Sequence, residues 1–498
     1  MTKTLLSGGR VLRADLKTCD PADVLVEDGF IIAIEPPGHI AREDLDRIDA
    51  SDRLLVPGLV NGHTHGHGGL GKGAVGDRVP LEVFLSASAA INGSRTIEDK
   101  RLSATLTAVE LVRKGCTAAY DLFVEYPVPS REGIDAVASA YGEVGMRAVI
   151  APMMADRTLY SALPGLMEAL PPDLQDRARK LELAPYEASI VAARDIIMSW
   201  RHDRDQLRPA LGPTIPLHCS DAFLVACARL GEECAVALQT HVAESKTQAV
   251  LGVRKYGKSL VAHLQELGVL GPRFSAAHGI WLDSDDISRL ADEGAGVVHN
   301  PMSNLRIGSG VAPVRGFLDA GVRLGIGTDA SNTSDGQNML EAQRLAALLS
   351  RVADVDPDRW LSVEEVFRAA TEGSAAILGF DRIGRLVPGY RADIVFLDVG
   401  HINYVPLRDP LRQLVLAENG AAIESVMING RFVLRQGRLL TLDESRLRRQ
   451  AEAAIERLDA ANAGPQRGAE QFRDLVGHFC LAHARAPFHV HRRLPDHP

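Results

Sequence analysis

No stretch of this sequence approaches about 18 uninterrupted apolar residues, the length that a membrane-spanning helix requires, so we expect no transmembrane segment. The first residues, MTKTLLSGGRVLRAD, lack an apolar run of signal-peptide length, and we expect a cytoplasmic location. Runs of basic residues are also absent. With 55 Lys and Arg against 64 Asp and Glu, the formal net charge is −9, which disfavours nucleic acid as a partner.

The six cysteines form no CxxC pair, and we interpret them as buried or incidental thiols rather than a disulfide framework. No internal repeat or low-complexity block is visible. Hydrophobic residues make up 46% and charged residues 24% of the 498 positions, proportions that exclude a disordered chain or a fibre. The length allows one large domain with additions, or two to three smaller ones.

Apolar, strand-like runs alternate with helical segments over the central part of the chain. Such runs begin near residues 59, 116, 146, 207, 235, 274, 294 and 322. Continuous apolar strands separated by helices indicate parallel strands covered by helices, and eight of them close a TIM barrel. The fold class is therefore predicted as α/β, a (β/α)8 TIM barrel. The rival, an open doubly wound sheet, needs a Gly-rich phosphate-binding turn after an early strand, and none is evident.

Shorter β-like runs flank the barrel on both sides and predict a small β-sandwich domain built from both chain ends. The tripeptide EDG at 27–29, between two β-rich runs, predicts a hairpin. After the second β-rich part comes a charged helix, then a His- and Arg-bearing tail from Phe479 without an obvious core pattern. The predicted divisions are a first sandwich part at 1–57, the barrel at 58–380, a second sandwich part at 381–440, and the C-terminal helix and tail at 441–498.

Histidines at predicted strand ends are the strongest chemical signal. His63 and His65 are two residues apart at the end of the first barrel strand, so both side chains point to the same face. His241, His278 and Asp329 end three later strands, where a barrel of this type carries its active site. Three imidazoles and a carboxylate suit Zn²⁺ or Fe²⁺ with one position left open for water.

Glu244 lies three residues after His241, on the turn that follows the strand. There it is placed to exchange protons with a water that a metal activates. Taken alone, the same residue would by default be interpreted as a solvated Glu at a helix start, where it interacts well with the helix dipole.

Several motifs then occur in one order over most of residues 1–440: PGLVNGHTH, HVAES, HNPMSNLRIGSGVAPV, GTDASN and PGYRADIVFLD. With them the chain resembles the amidohydrolase superfamily, in the branch of cytosine, guanine and S-adenosylhomocysteine deaminases and triazine hydrolases. The resemblance implies one divalent metal, Zn²⁺ first and Fe²⁺ second, and usually a homo-oligomer, with a dimer favoured. The implied metal ligands are His63, His65, His241 and Asp329, and the implied catalytic groups are Glu244, His278 and Asp329.

Binuclear members of that superfamily bridge two metals with a carboxylated lysine on the fourth strand. The corresponding segment here, RPALGPTIPLHCSD, contains no Lys, so we expect a single metal ion. The same segment departs from the pattern of the deaminases because His218 stands where a smaller or aromatic residue is usual. This departure concerns the substrate and not the chemistry.

The predicted function is a metal-dependent hydrolase that releases ammonia from an amino-substituted N-heterocycle of purine, pterin, pyrimidine or triazine type. Three alternatives stay open: displacement of chloride or an alkylamine from a triazine-like ring, a ring-opening cyclic amidase, and a catalytically silent metal-bearing binding protein. Asn304, Arg306 and His218 are candidate substrate contacts. Arg306 suits a carboxylate or a ring carbonyl, but Asn304 and Arg306 are equally explained as residues that only hold the loops together.

Overall fold

The computed structural model describes residues 3–42 and 44–493. The last five residues of the predicted tail, 494–498, lie outside the described part. Among the described residues, no helix combines the length and the hydropathy that crossing a bilayer requires.

The N-terminal part consists of five strands, and its predicted hairpin is confirmed. Glu27 pairs with Phe30 across a two-residue turn in which Asp28 and Gly29 both have positive φ, as a tight hairpin requires. The strands are β1 (Lys3–Leu12), β2 (Cys19–Glu27), β3 (Phe30–Glu35), β4 (Asp46–Asp49) and β5 (Arg53–Pro57).

Parallel strands then form the predicted barrel. They are β6 (Leu59–His65), β7 (Cys116–Val124), β8 (Arg147–Met154), β9 (Leu207–Pro209), β10 (Gly212–Pro213), β11 (Leu238–Val242), β12 (Phe274–His278), β13 (Gly296–His299), β14 (Arg323–Ile326) and β15 (Asp329–Ala330). Strands β6 to β10 pair in parallel, as do β11 to β14. A parallel bridge from Leu211 to Leu238 joins the two sets on one side. On the other side, the segment between β14 and β15 joins them, because Gly327 N–H donates to the His299 carbonyl and Thr328 N–H donates to the His63 carbonyl.

Three of the eight predicted runs are shorter or interrupted as strands: those near 207 and 322 are each divided into two short strands, and the third is the run near 294. The run at 294–304 is a strand only to His299, because Pro301 begins a short helix, a position at which proline is favoured. The barrel strands are covered on both sides, and all seven residues of β6 and all nine of β7 are buried.

Four C-terminal strands complete the N-terminal sheet: β16 (Ile394–Asp398), β17 (Ile423–Ile428), β18 (Arg431–Arg435) and β19 (Arg438–Leu439). The junction is the antiparallel pairing of β16 with β5, in which Phe396 lies opposite Leu55. Both chain ends therefore share one nine-stranded sheet. The closure of this sheet into a sandwich stays a prediction.

Helices surround the barrel and follow the expected start signals. The helix that begins at Ile97 opens with a capping box, in which Thr96 and Asp99 satisfy each other's backbone N–H groups. The helices are α1 (Leu81–Asn92), α2 (Ile97–Arg113), α3 (Arg131–Val144), α4 (Leu159–Ala162), α5 (Leu166–Ala169), α6 (Pro172–Arg179), α7 (Tyr186–Met198), α8 (Asp221–Glu233), α9 (Lys246–Tyr256), α10 (Leu260–Glu266), α11 (Ser284–Asp292), α12 (Pro301–Arg306), α13 (Val314–Asp319), α14 (Met339–Ala353), α15 (Val363–Arg368), α16 (Ser374–Leu378), α17 (Pro410–Leu416) and α18 (Glu444–Arg485).

Helix α18 runs further than the sequence suggests, and this corrects the predicted start of the tail at Phe479. The helix has 42 residues and continues through Pro465 to Arg485. Its last part is helical because Phe472, Val476 and Cys480, spaced four residues apart, are buried on one face. The irregular tail therefore begins at Ala486.

Candidate active site

The barrel brings the predicted strand-end residues to one buried point. His63 and His65 lie on the same side of β6, and His241 and His278 lie at the carboxyl ends of β11 and β12. Asp329 begins β15 beside Thr64. All five side chains are buried. Parallel strands end at the same rim of a barrel, so residues far apart in sequence meet there.

The ligand-type atoms of this cluster lie at short mutual distances. The Nε2 atoms of His65 and His241 are 3.1 Å apart. Asp329 Oδ1 lies 3.3 Å from His65 Nε2 and 3.6 Å from His63 Nε2. Ligand atoms arranged tetrahedrally at about 2.0–2.2 Å from a Zn²⁺ ion are separated by roughly 3.3–3.6 Å. The observed separations match that spacing.

Hydrogen bonds on the far side of each ring fix which nitrogen faces the centre. His63 Nδ1 donates to Gln239 Oε1 at 2.7 Å. His65 Nδ1 donates to the Leu122 carbonyl at 2.7 Å, and His241 Nδ1 donates to the Thr214 carbonyl at 2.5 Å. A neutral imidazole that donates through Nδ1 keeps a lone pair on Nε2, the arrangement that is typical of a metal-ligating histidine.

This arrangement fits a bound cation and is unfavourable without one. Three lone pairs and a carboxylate point at one another inside the barrel, and His63 Nε2 is a buried nitrogen with no hydrogen-bond partner among the described residues. Unpaired buried polar atoms cost free energy, and a divalent ion would satisfy all four groups together. Three nitrogens and one oxygen are ligands that suit Zn²⁺.

Asp329 is held in place by its backbone as well as by its carboxylate. Its φ is +62°, an uncommon value for a residue with a side chain. Compensating contacts come from the Ala330 N–H, which donates to Oδ1 at 2.8 Å, and from Thr64 and Gln337, which donate to the Asp329 carbonyl at 3.0 and 2.7 Å. The strained conformation aims the carboxylate at the histidines.

Glu244 and His278 form a second pair beside the cluster. His278 Nε2 lies 3.6 Å from Glu244 Oε1 and 3.9 Å from Asp329 Oδ2. Burial raises the pKa of Glu244 well above its usual value, with smaller contributions from the charges of Asp329 and Glu82. Burial also lowers the pKa of His278 to about 4. The pair therefore presents a carboxyl group that readily holds a proton next to a neutral imidazole.

The three predicted substrate contacts occupy different surroundings. Asn304 Oδ1 accepts the Nδ1–H of His278 at 2.8 Å, so this residue orients a candidate catalytic ring. Arg306 donates to Asp335 at 2.5 Å and to the carbonyls of the loop at 75–77, at 3.0–3.2 Å. These contacts favour the loop-holding explanation for Arg306. Its role as a substrate contact stays a prediction.

His218 lines a cavity of about 310 Å³ at the ends of β7, β8 and β10. Thr214, whose carbonyl holds His241, lies in the same wall, and Leu85 and Ser88 of α1 face it. Burial lowers the pKa of His218 to about 4, so its ring is neutral. The cavity lies behind His241 as seen from the cluster, since Thr214 contacts the Nδ1 side of that ring. The role of His218 as a substrate contact stays a prediction.

Sequence reasoning missed the residues that orient the cluster. Gln239 is fully buried, holds His63 Nδ1, and also donates to the Gly62 carbonyl at 3.2 Å and to Ser275 at 2.9 Å. A signal for it was available, because Gln239 precedes His241 by two residues on one strand and therefore shares its face. Leu122 and Thr214 act through backbone carbonyls, which no side-chain pattern identifies.

Comparison with known proteins agrees with this geometry. The profile described as "Amidohydrolase family" matches residues 54–433. A 5-methylthioadenosine/S-adenosylhomocysteine deaminase from Desulforudis audaxviator is 33% identical over 440 residues, which cover 88% of this chain and 94% of that protein. An adenosine deaminase from Xanthomonas campestris with bound zinc superposes with a TM-score of 0.81 at 27% identity, covering 92% and 99% of the two chains. Atrazine chlorohydrolase from Arthrobacter aurescens TC1, complexed with zinc, gives a TM-score of 0.81 at 27% identity, with 91% and 100% coverage.

Proposed function

This chain belongs to the amidohydrolase family, and we propose that it is a metal-dependent hydrolase that deaminates an amino-substituted N-heterocycle. The observation that carries the proposal is the placement of the Glu244–His278 pair beside the buried cluster of ligand-type atoms. Relatives named as deaminases of adenosine derivatives support adenosine-type compounds as the first substrates to test.

One divalent metal per chain is part of the proposal, with zinc first and iron second. His63, His65, His241 and Asp329 would hold it, since their free atoms converge and their other atoms are held by neighbouring strands. Bound there, such an ion would lower the pKa of a nearby water toward about 7 and so supply a nucleophile at neutral pH.

Protein side chains would then carry out the proton transfers. Glu244 accepts the proton of the attacking water and delivers it to a ring nitrogen. Its raised pKa suits a group that must hold this proton for part of the cycle. His278, whose Nδ1–H donates to Asn304, presents an unprotonated Nε2 that accepts a hydrogen bond from the attacking water and helps it to lose its proton. Asp329, 3.9 Å from His278 Nε2, is placed to take the second proton of the added water and to pass it to the amine, which leaves as ammonia while the carbon–oxygen double bond forms.

The presence of several groups that can carry protons favours ammonia over chloride as the leaving group. An amine leaves readily only after protonation, so a deaminase needs a base that becomes an acid within one turnover. Chloride leaves without a proton and makes no such demand. The second candidate is nevertheless displacement of chloride or an alkylamine from a triazine, because a zinc-bound atrazine chlorohydrolase shares the fold over 91% of this chain.

The proposal is tested by ammonia release from metal-replete protein on aminopurine nucleosides, pterins, pyrimidines and triazines. A paired assay then compares kcat/KM for an amino-heterocycle and its chloro analogue. We expect the amino compound to react faster. Chloride release more than about tenfold faster, roughly 1.4 kcal/mol of transition-state preference, would move the protein to the second candidate.

Three further expectations remain proposals: a homo-oligomer with a dimer favoured, a cytoplasmic location, and domain divisions after residues 57, 380 and 440.

A further inference from the structure

The C-terminal tail contacts two loops, one directly after His278 at the end of β12 and one after helix α12, which carries Asn304. We call residues 488–493 the strap. Val490 of the strap is 5% exposed, and Phe488 lies beside Trp281 with ring centroids 6.5 Å apart. The strap is therefore packed onto the barrel rim rather than extended into solvent. It lies beyond residue 433, where the match to the family profile ends.

Arg492 binds the loop that follows His278. Its Nε donates to the Ile280 carbonyl at 2.9 Å, and a terminal nitrogen donates to the Leu282 carbonyl at 2.5 Å. The planar guanidinium therefore joins two carbonyls of one loop, a geometry that a lysine cannot reproduce. This loop also touches the turn that carries Glu244, because the backbone N–H of Trp281 donates to the Ala243 carbonyl at 3.0 Å.

The strap also binds the loop that follows Asn304. The Val311 N–H donates to the Arg492 carbonyl at 2.8 Å, and Arg493 donates to the Gly308 carbonyl at 2.8 Å. At Gly310, φ is +128°, and an added Cβ would lie 2.8 Å from the Arg492 carbonyl oxygen. A glycine at this position is what allows the strap to approach so closely.

The two loops meet at a strained point. His278 has φ +70° and Gly279 has φ +56°, so the chain turns sharply where the candidate catalytic ring begins. A non-glycine residue in this region persists only when its surroundings hold it there. Asn304 holds the ring, Trp281 Nε1 donates to the Ser309 carbonyl at 2.8 Å, and the strap binds both loops from outside.

We propose that Arg492 is a positioning residue for the reaction, which fixes His278 by joining the loops after β12 and β13. The proposal rests on the proposed deaminase function. Arg492 touches neither the histidine cluster nor Glu244 in any described contact, so it acts through the backbone of residues 280–282. Its loss should change the rate of the chemical step more than substrate binding, and it should leave the metal in place.

The test compares Arg492→Ala and Arg492→Lys with the wild type, and uses Arg448→Ala as the matched control. Arg448 is an exposed arginine of α18 whose ion pair is with Glu452, far from the strap in sequence. We expect Arg492→Ala to lower kcat about tenfold or more, with little change in KM or metal content, since small displacements of a catalytic group are costly. Arg492→Lys should recover little, and millimolar guanidinium should partly restore Arg492→Ala.

A second measurement separates this proposal from the proposed function. Hydrogen exchange of the amides at 279–283 and 308–311 should become faster in Arg492→Ala and stay unchanged in Arg448→Ala. A wild type that releases no ammonia on the whole panel would overturn the proposed function. The exchange result would still show whether the strap holds the two loops. Unchanged exchange, a wild-type kcat, or a fall in kcat that merely follows lost metal would overturn the role of Arg492. If Arg492→Ala does not fold, Gly310→Ala, which pushes the strap away, must give the same loop-specific exchange.

Discussion

The histidine cluster and the Glu244–His278 pair lie side by side but are held in different ways. His65 is held by the carbonyl of Leu122 in β7, and His241 by the carbonyl of Thr214, the residue directly after β10. Glu244 instead lies on the turn after β11, and His278 is the last residue of β12, where Asn304 and the following loop hold it. The barrel strands therefore set the positions of the metal-binding residues. The positions of Glu244 and His278 depend on loop contacts, which can differ without any change in the barrel.

Removal of a metal ligand should abolish metal binding by the histidine cluster. Asp329→Ala takes the only carboxylate from the ligand set and leaves three neutral imidazoles, so we expect metal content to fall from one equivalent to near zero and turnover to be lost. Elemental analysis of protein never exposed to chelator measures this. Chelation of the wild type followed by zinc addition is the control, and it should restore activity. Two equivalents of metal, or full activity without any, would contradict the single-metal site.

Glu244→Gln should abolish proton transfer by the Glu244–His278 pair and leave the histidine cluster able to bind metal. The amide keeps the size of the side chain but cannot accept a proton, so turnover should fall by at least ~10²-fold while metal content and unfolding temperature stay close to wild type. Glu452→Gln, an exposed substitution on α18, is the matched control. A Glu244→Gln protein with a wild-type rate, or one that has lost its metal, would refute the assigned role.

Gln239→Leu tests whether a residue of another strand that orients a metal ligand raises the metal affinity of the site. The change removes the acceptor of His63 Nδ1–H, so the ring loses its fixed tautomer and orientation, and we expect metal affinity to fall about 10–100-fold. Competition with a zinc-binding dye measures the affinity. Gln343→Leu, a fully buried glutamine on α14 that donates to the Met339 carbonyl, is the control and should leave the affinity unchanged. Equal loss in both variants would indicate a general effect of damage to the core.

The same difference between the two regions explains what the sequence could predict. His63, His65, His241, His278 and Asp329 were accessible because parallel strands end at one rim, so position along each strand decides where a side chain goes. The hairpin at 27–29 was accessible because its signal is local.

Loop contacts were not accessible in this way. Arg306 meets the loop at 75–77, more than 200 residues earlier, and Arg492 meets loops near 280 and 310. No period in the sequence reports such pairings, because they depend on how separate loops pack over the finished barrel. The strap itself shows no apolar repeat, since it binds mainly through backbone carbonyls.

Arg306→Ala should give the smallest effect. It tests whether Arg306 belongs to the loop contacts or to the substrate site. If Arg306 only holds the loop at 75–77 and Asp335, its loss removes one partly exposed ion pair and several carbonyl contacts, and KM should rise about threefold, or ~0.7 kcal/mol, equally for all substrates. If it binds the substrate directly, KM should rise mainly for compounds with a carboxylate or ring carbonyl, because only these lose a charge-assisted hydrogen bond. The measurement is KM for two substrates that differ only in that group, with Arg315→Ala, an arginine of similar exposure paired with Glu365, as the control. The first outcome places Arg306 with the loop framework, and the second places it in the substrate site.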